Sequence, residues 1–440
     1  FVSLSVGAGG WLLTRHVVQE IKVRDGFLVV MLFWLVLSFL GMLPFVMGEH
    51  PVLGWLDGFF ESVSGWTTTG STVIRGIDDL PRGLLYYRQQ LQFLGGMGII
   101  VLAVAILPML GVGGMQLYQA EMPGPLKDHK LTPRIAETAK ALWVIYVGLT
   151  VFCTFAYAAA GMPWFNAIGE AFSTVATGGF STHDNSFGFY DNPWIHWIAI
   201  VFMLLSSLNY GLHFAALRKG DWRCYMGDPE CQIYLKTVIL SCLFIVVFLI
   251  ASHHYLDYRQ ALLDGVFTTV SIVTTTGLIN ATFSDWPMVL TVFLMWSGVV
   301  GGCAASTSGG VKRIRSILMR KQAFLTFYRL IHPQGVYRLR LGTRVIATEL
   351  LQSVYGFVFV FVMIFFILLL LLLAFGLDLQ AGVACLVACL ANVGVGIGQS
   401  IPAFADLSDP CKCVLIFAMF VGRLEIFTVF ILFLPEYWRN

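Results

Sequence analysis

The sequence is poor in charge. Lys, Arg, Asp and Glu make up 12% of its 440 residues, against about 25% in an ordinary soluble domain. So little charge cannot cover a water-facing surface, which excludes an ordinary soluble enzyme. With 58% hydrophobic residues the chain is not a disordered one either. An excess of one sign is also lacking. The 27 basic and 25 acidic residues leave a net +2, with no basic stripe, so no nucleic-acid partner is expected. Nine cysteines, an odd number, are scattered mostly through apolar runs, where a thiol behaves as a small hydrophobe. They imply no disulfide framework. Cys411 and Cys413 have no neighbouring His or second Cys pair, which argues against zinc. An HExxH helix and a Ser/His/Asp constellation are both missing. Neither an enzyme nor a bound organic cofactor is therefore expected. No cleavable signal pattern is visible. The chain opens at Phe1 rather than Met, and 1–24 is read as the remnant of an N-terminal apolar helix with a cytoplasmic lead-in.

What the chain has instead is long apolar runs, at 26–47, 84–113, 141–160, 194–217, 237–252, 287–311, 346–376 and 413–434. Runs of about 20 apolar residues cross a bilayer as helices, so a polytopic, all-α membrane protein is expected, with lipid as its surroundings. Between alternate pairs of runs lies a shorter semi-apolar element followed by a Thr- and Gly-rich stretch. Such an element is too short to span and reads as a re-entrant half-helix.

Aligning these stretches on a glycine gives four copies. The first runs through Thr67, Thr68, Thr69, Gly70 and Ser71. The second runs through Ala176, Thr177, Gly178, Gly179 and Phe180, with Gly178 or Gly179 at the key position. The third is Thr274, Thr275, Thr276, Gly277 and Leu278. The fourth is Asn392, Val393, Gly394 and Val395. A small residue stands twelve positions before each glycine: Gly58, Ala167, Gly265 and Gly382. The architecture read from this is four tandem helix–pore-helix–filter–helix units around one pseudo-fourfold pore. Unit 1 is placed at 25–118, unit 2 with its linker at 119–217 and unit 3 with its linker at 218–311. A basic cytoplasmic linker follows at 312–345, and unit 4 at 346–440.

Twenty-one of the 27 basic residues fall before the first unit, in the linkers between units or at Arg439. Nine of these lie between Lys312 and Arg344. By the positive-inside rule the linkers are cytoplasmic and the half-helices enter from outside. Non-helical backbone at membrane depth is tolerated only where it is buried or lines a cavity. Four such loops about one axis would present rings of carbonyl oxygens that replace the hydration shell of a monovalent cation. Glycine supplies the φ values that point successive carbonyls one way. The Thr hydroxyls add further oxygens. Half-helix C-termini would aim the negative ends of their dipoles at the ion.

FFESVSGWTTTGSTVI (59–74), AFSTVATGGFSTHD (171–184), GVFTTVSIVTTTGL (265–278) and ANVGVGIG (391–398) resemble the four filter segments of the Trk/Ktr/HKT superfamily of potassium transporters. The stretches 89–118 and 422–438 are similar to the bacterial TrkH/TrkG branch. The resemblance implies K⁺ as the transported ion, held at the filter only, and uptake through four covalently linked pore units. It also implies a homodimer with one pore per protomer, a bacterial inner-membrane location and a cytosolic TrkA-like nucleotide-binding ring as partner. The filter glycines carried over are Gly70, Gly179, Gly277 and Gly394. In the plant branch Ser at the first position goes with sodium, so Gly70 argues for potassium.

Gly301, Gly302, Cys303, Ala304, Ala305, Ser306, Thr307, Ser308, Gly309 and Gly310 interrupt the second span of unit 3 with four glycines, which should break the helix. A seam of small residues between packed helices is the rival reading. The resemblance implies an intramembrane loop that acts as gate. Arg423, a costly cation in an apolar run, is placed by the same resemblance beneath the filter as an electrostatic barrier. Glu425 faces away from it on a helix. Asp57 and Asp264 are expected to cap their half-helices. The outer acids Asp78, Asp79, Asp184, Asp285, Asp406 and Asp409 read as solvated loop residues. His332, Pro333 and Gln334 are assigned to a cytosolic hairpin that meets the partner. The alternative function is an H⁺- or Na⁺-coupled secondary transporter, for which two repeats rather than four are usual.

Overall fold

The computed structural model describes residues 2–15, 23–48, 50–101, 131–283, 285–342, 344–396 and 403–439. Lys22, Lys127 and Lys130 of the basic segments lie outside the described residues, as do 102–118 of the 89–118 motif and Ile397 and Gly398 of the fourth filter motif.

A helix α1 (Val2–Thr14) precedes four repeats of one pattern. In the first, α2 (Val23–Gly41) runs into the short α3 (Leu43–Met47), followed by the half-helix α4 (Trp55–Trp66) and by α5 (Arg82–Val101). The second comprises α6 (Leu131–Ala159), the half-helix α7 (Trp164–Ala176), α8 (Pro193–Ser206) and α9 (Tyr210–Lys219). A short α10 (Arg223–Gly227) leads to the third, made of α11 (Pro229–Ala251), the half-helix α12 (Tyr258–Val273) and α13 (Met288–Val300). Then come α14 (Arg313–Ile331) and a hairpin of β1 (Arg340–Leu341) and β2 (Arg344–Val345), with Arg340 opposite Val345. The fourth comprises α15 (Thr348–Ala374), the half-helix α16 (Leu379–Leu390), α17 (Asp409–Arg423) and α18 (Ile426–Phe430), before α19 (Pro435–Trp438). The all-α polytopic architecture with four tandem units is borne out.

Solvation follows the bilayer rather than water. The first helix of each repeat exposes large apolar side chains, among them Phe33 and Phe39, Phe152 and Phe155, Leu240 and Leu243, and Phe366 and Leu370. The half-helices begin exposed, at Trp55, Trp164, Tyr258 and Leu379, and become buried toward their C-terminal ends, and many buried polar residues lie on them and just after them. A single apolar cluster joins repeats 1 and 4, a second joins 2 and 3, and a third joins 3 and 4.

Two spans expected to be continuous are bent. The run 194–217 bends by 92° between α8 and α9, and the run 413–434 bends by 114° between α17 and α18. The run 287–311 stops being helix at Val300, where its glycines predict the break. The 92° bend has a local cause in Asn209, which starts α9 by accepting a bond from Gly211 N at 2.7 Å. The 114° bend is at Glu425, held at φ +61°. The capping roles of Asp57 and Asp264 are also corrected. The half-helix α4 starts at Gly54 without a side-chain cap, and Asp57 instead receives Lys412 Nζ at 2.6 Å. The cap of α12 is Asp257, while Asp264 accepts from Asn280 Nδ2 at 2.8 Å. Asp57 stands in the first turn of α4, but its carboxylate is taken by Lys412; Asp264 lies beyond the first turn of α12, out of reach of its free N–H groups.

Candidate ion-conduction site

All four half-helices end alike. Two residues before each repeat glycine the chain turns left-handed, at Thr68 (φ +48°), Thr177 (+51°), Thr275 (+56°) and Asn392 (+52°). The next N–H then folds back to a helix carbonyl: Thr69 to Ser64 at 2.9 Å, Gly178 to Ser173 at 2.9 Å, Thr276 to Ser271 at 2.8 Å and Val393 to Ala388 at 2.9 Å. This is the closure that ends helices on a left-handed residue, here built on Thr and Asn rather than Gly. It uses up helix carbonyls and releases those that follow. Among the described residues no backbone N–H donates to the carbonyls of Thr69, Gly70, Gly178, Gly179, Thr276, Gly277, Val393 or Gly394.

The glycines themselves have φ of +89° at Gly70, +84° at Gly179, +78° at Gly277 and +83° at Gly394. In the second copy Gly179 takes the repeated conformation and Gly178 precedes it. A side chain at Gly70 would overlap the carbonyl oxygen of Gly178, one at Gly179 that of Thr276, one at Gly277 that of Val393, and one at Gly394 that of Thr69. Each glycine is pressed against the carbonyl one residue ahead of the next glycine, and the fourth returns to the first. The four loops thus close into one ring of carbonyls without backbone partners.

Not every hydroxyl faces that ring. Thr67 Oγ1 donates to Val63 O at 2.7 Å and Thr274 Oγ1 to Val270 O at 2.7 Å. Each also shares a 2.7 Å hydrogen bond with the hydroxyl two residues on, at Thr69 and Thr276. The hydroxyls of Thr67 and Thr274 thus bond helix carbonyls, whereas from sequence the Thr hydroxyls are expected to add oxygens for the ion. Ser71 Oγ donates to Gly394 O at 2.9 Å, tying copy 1 to copy 4. Asn392 Nδ2 donates to Thr69 Oγ1 at 2.9 Å.

Several residues behind the ring were not singled out from sequence. Glu61 and Glu170, both fully buried, stand nine positions before Gly70 and Gly179. Arg88, also fully buried, donates Nε to Glu61 Oε1 at 2.8 Å and lies 4.3 Å over the Phe180 ring. Gln92 clasps the second loop. Its Nε2 donates to Gly178 O at 2.6 Å and its Oε1 accepts from Phe180 N at 3.2 Å. The readable signal was two carboxylates at one register in short apolar helices.

Beneath the ring, 301–312 is a loop between α13 and α14. Cys303 N donates to Ser207 O at 3.0 Å, and Ala305 O accepts from Tyr210 N at 3.1 Å. Ala304 N donates to Glu230 Oε1 at 2.9 Å. Thr307 Oγ1 lies 3.2 Å from Val175 O and 3.0 Å from Ser206 O. Gly309 N donates to Thr275 Oγ1 at 2.6 Å, and a side chain at Gly309 would overlap Ala391 O. The loop therefore touches the undersides of copies 2, 3 and 4. Arg423 Nη1 donates to Thr307 O at 2.9 Å. Lys312, read from sequence only as a linker charge, joins it by donating Nζ to Ser306 O at 3.3 Å and to Ser308 O. Glu425 pairs with Arg315 at 2.8 Å, not with Arg423.

The outer acids are tied into loops. Asp78 and Asp184 each accept the other's backbone N–H at 3.3 Å, and His183 Nδ1 meets Asp78 Oδ1 at 2.5 Å. Asp406 pairs with Arg75.

Comparison with known proteins gives a consistent result. The profile of the TrkH family, described as "Cation transport protein", matches residues 1–440. The chain is 48% identical over 444 residues to the Trk system potassium uptake protein TrkH of Salmonella typhimurium, covering 100% of this chain and 91% of that one. It is 38% identical over 435 residues to the Trk system potassium uptake protein TrkG of Escherichia coli, covering 99% of this chain and 90% of that one. The crystal structure of the potassium transporter TrkH from Vibrio parahaemolyticus superposes with a TM-score of 0.93 at 45% identity, covering 100% of this chain and 91% of that chain. With matches along its whole length, the chain belongs to the TrkH family of cation transport proteins, which are membrane transporters and not enzymes.

Proposed function

We propose that this protein takes up K⁺ across the bacterial inner (cytoplasmic) membrane through the ring formed by 67–71, 176–180, 274–278 and 392–395. The observation that carries this reading is the closed contact order of the four glycines, each against the carbonyl of the next loop. Carbonyls free of backbone partners can take the place of water around a dehydrated cation. The C-termini of four half-helices add negative dipole ends on the same side. The potassium uptake named for the relatives fits that chemistry.

Loop 301–310 is the gate in this reading. It crosses beneath three of the four copies, and Arg423 and Lys312 hold it through its carbonyls. Two cations under the ring oppose the passage of a third. Release of the loop opens the path. A cytosolic nucleotide-binding ring docks on the basic segment 312–345 and biases the loop through α14, which follows it directly in the chain. The protein works as a homodimer with one pore per protomer.

The test is Rb⁺ uptake by the purified protein in liposomes. Uptake that follows the K⁺ or Rb⁺ gradient and ignores an imposed pH or Na⁺ gradient is expected. Uphill accumulation driven by either gradient would favour an ion-coupled K⁺ transporter instead. No uptake by well-inserted protein, in the parent and in Arg423→Ala alike, overturns the proposal.

A further inference from the structure

Glu61 and Glu170 do the same thing in two of the four copies. Glu61 accepts from the Thr72 hydroxyl at 3.0 Å and from Val73 N at 3.1 Å. Glu170 accepts from the Ser181 hydroxyl at 2.7 Å, from Thr182 N at 2.8 Å and from the Thr182 hydroxyl at 2.8 Å. Counted from Gly70 and Gly179, the partners are the hydroxyl two residues on and the N–H three residues on. Both carboxyl groups therefore clamp the strand that leaves the ring to the half-helix that enters it. Arg88 joins the two clamps. It binds Glu61, donates to the Thr72 hydroxyl at 3.2 Å and reaches Ser181 O at 3.4 Å.

Copies 3 and 4 lack this device. Thr268 and Cys385 occupy the same register, nine before Gly277 and Gly394. Among the described residues, Thr268 Oγ1 donates to Asn280 Oδ1 at 3.4 Å, a long contact. In copy 3 the exit strand is held closer in, by Ser271 Oγ donating to Leu278 O at 2.7 Å. A buried carboxylate is costly unless it is well bonded, and two at one register behind the ring make their position a matter of function rather than of packing.

From this we infer that Glu61 and Glu170 are positioning residues for ion selectivity, fixing the carbonyls of copies 1 and 2 at a spacing that suits K⁺ and resists collapse around the smaller Na⁺. The inference rests on the reading of the ring as the selectivity site. Half of the ring is set by carboxylate struts, and the other half adjusts to the ion. Glu61 acts together with Arg88, so removing it also strands a buried cation. Glu170 gives the cleaner test, since its three donors all converge on Oε1.

The experiment compares Rb⁺ uptake, and its inhibition by Na⁺, in liposomes carrying the parent protein, Glu170→Leu, Glu170→Gln or the double variant Ser181→Ala/Thr182→Val. Glu170→Leu should lower the preference for Rb⁺ over Na⁺ by about tenfold, the value of one lost hydrogen bond to a charged group. Glu170→Gln keeps an accepting oxygen and should recover most of the preference. The double variant keeps Glu170 but removes two donors, and should move in the same direction as Glu170→Leu even where the latter inserts poorly. Parent-like preference in both Glu170→Leu and the double variant overturns the inference. Gly179→Ser in the same assay separates it from the ring reading. If Gly179→Ser alters preference and the strut variants do not, only the struts fail. If Gly179→Ser leaves preference intact, the ring reading fails and the struts with it.

Discussion

Replacing Gly70 by Ser puts a side chain where the backbone has φ +89° and where the carbonyl oxygen of Gly178 already lies. Two costs follow. A non-glycine residue held in such a region of φ/ψ costs about 1–3 kcal/mol. The overlap is with backbone, so it cannot be relieved by turning a flexible side chain. The Gly178 carbonyl must rotate away, against the 2.6 Å bond from Gln92 that holds it. If about 1.4 kcal/mol of that strain falls on the K⁺-bound state alone, preference over Na⁺ drops about tenfold. Rb⁺ uptake against graded Na⁺ in liposomes reads this directly. Gly376→Ala is the control. It has the same φ of +89° with nothing within 4 Å, so it should lower thermal stability and leave preference alone. At Gly178→Ser the nearest atoms are those of the Gln92 side chain rather than backbone, so its effect should be smaller. Parent-like preference in Gly70→Ser, at normal insertion, would refute the assignment of the ring.

Arg423→Ala removes the bond to Thr307 O and should raise Rb⁺ flux severalfold without the partner; flux at the parent level in inserted protein would mean that the loop is a packing seam. Neutralising Arg338, Arg340 and Arg344 together should weaken capture of the nucleotide-binding ring, and parent binding should itself fall as salt rises; unchanged capture would move the docking face elsewhere. Lys412→Ala leaves Asp57 without its 2.6 Å partner between copies 4 and 1. Asp57 is partly exposed, so the loss should be about 1–2 kcal/mol, below that of a fully buried pair, read as a lower Tm; an unchanged Tm would show that the pair contributes nothing.

The fold was legible because its units repeat. A glycine that must hold φ near +80° cannot be replaced without strain, so it stood out at the same place after four short apolar helices. The break at 301–310 was legible from glycine density. The bend at Glu425 was not, because neither Gly nor Pro marks it. It depends on Arg315, more than 100 positions earlier, which pairs with Glu425 and lies 3.9 Å over the Phe357 ring. Asn209 at the other bend is a cap signal that an apolar run concealed. Within the candidate site, Gln92 and Arg88 were hidden for a different reason. Their meaning lies in which backbone groups of copy 2 they reach, and copy 2 is some 90 residues away in sequence. The contacts of Lys312 were hidden because its neighbours form a basic run; its ammonium turns to the loop carbonyls, and Arg313 beside it is buried as well.

The contacts around the ring run in one direction. Each glycine presses on the carbonyl of the following loop and never on that of the preceding one. Injury to the ring is therefore inherited by a neighbour. A bulky residue at position 70 leaves its own loop in place and displaces the second; one at 394 passes its strain across the seam between the two ends of the chain to Thr69. Compensating changes would accordingly arise one copy downstream, around Gly178 and Gln92 for the first case. In a ring of four identical subunits such repair would alter every site at once. Here, with the copies fused in one chain, each can be mended singly, which lets them diverge as far as the Glu61 and Cys385 positions have.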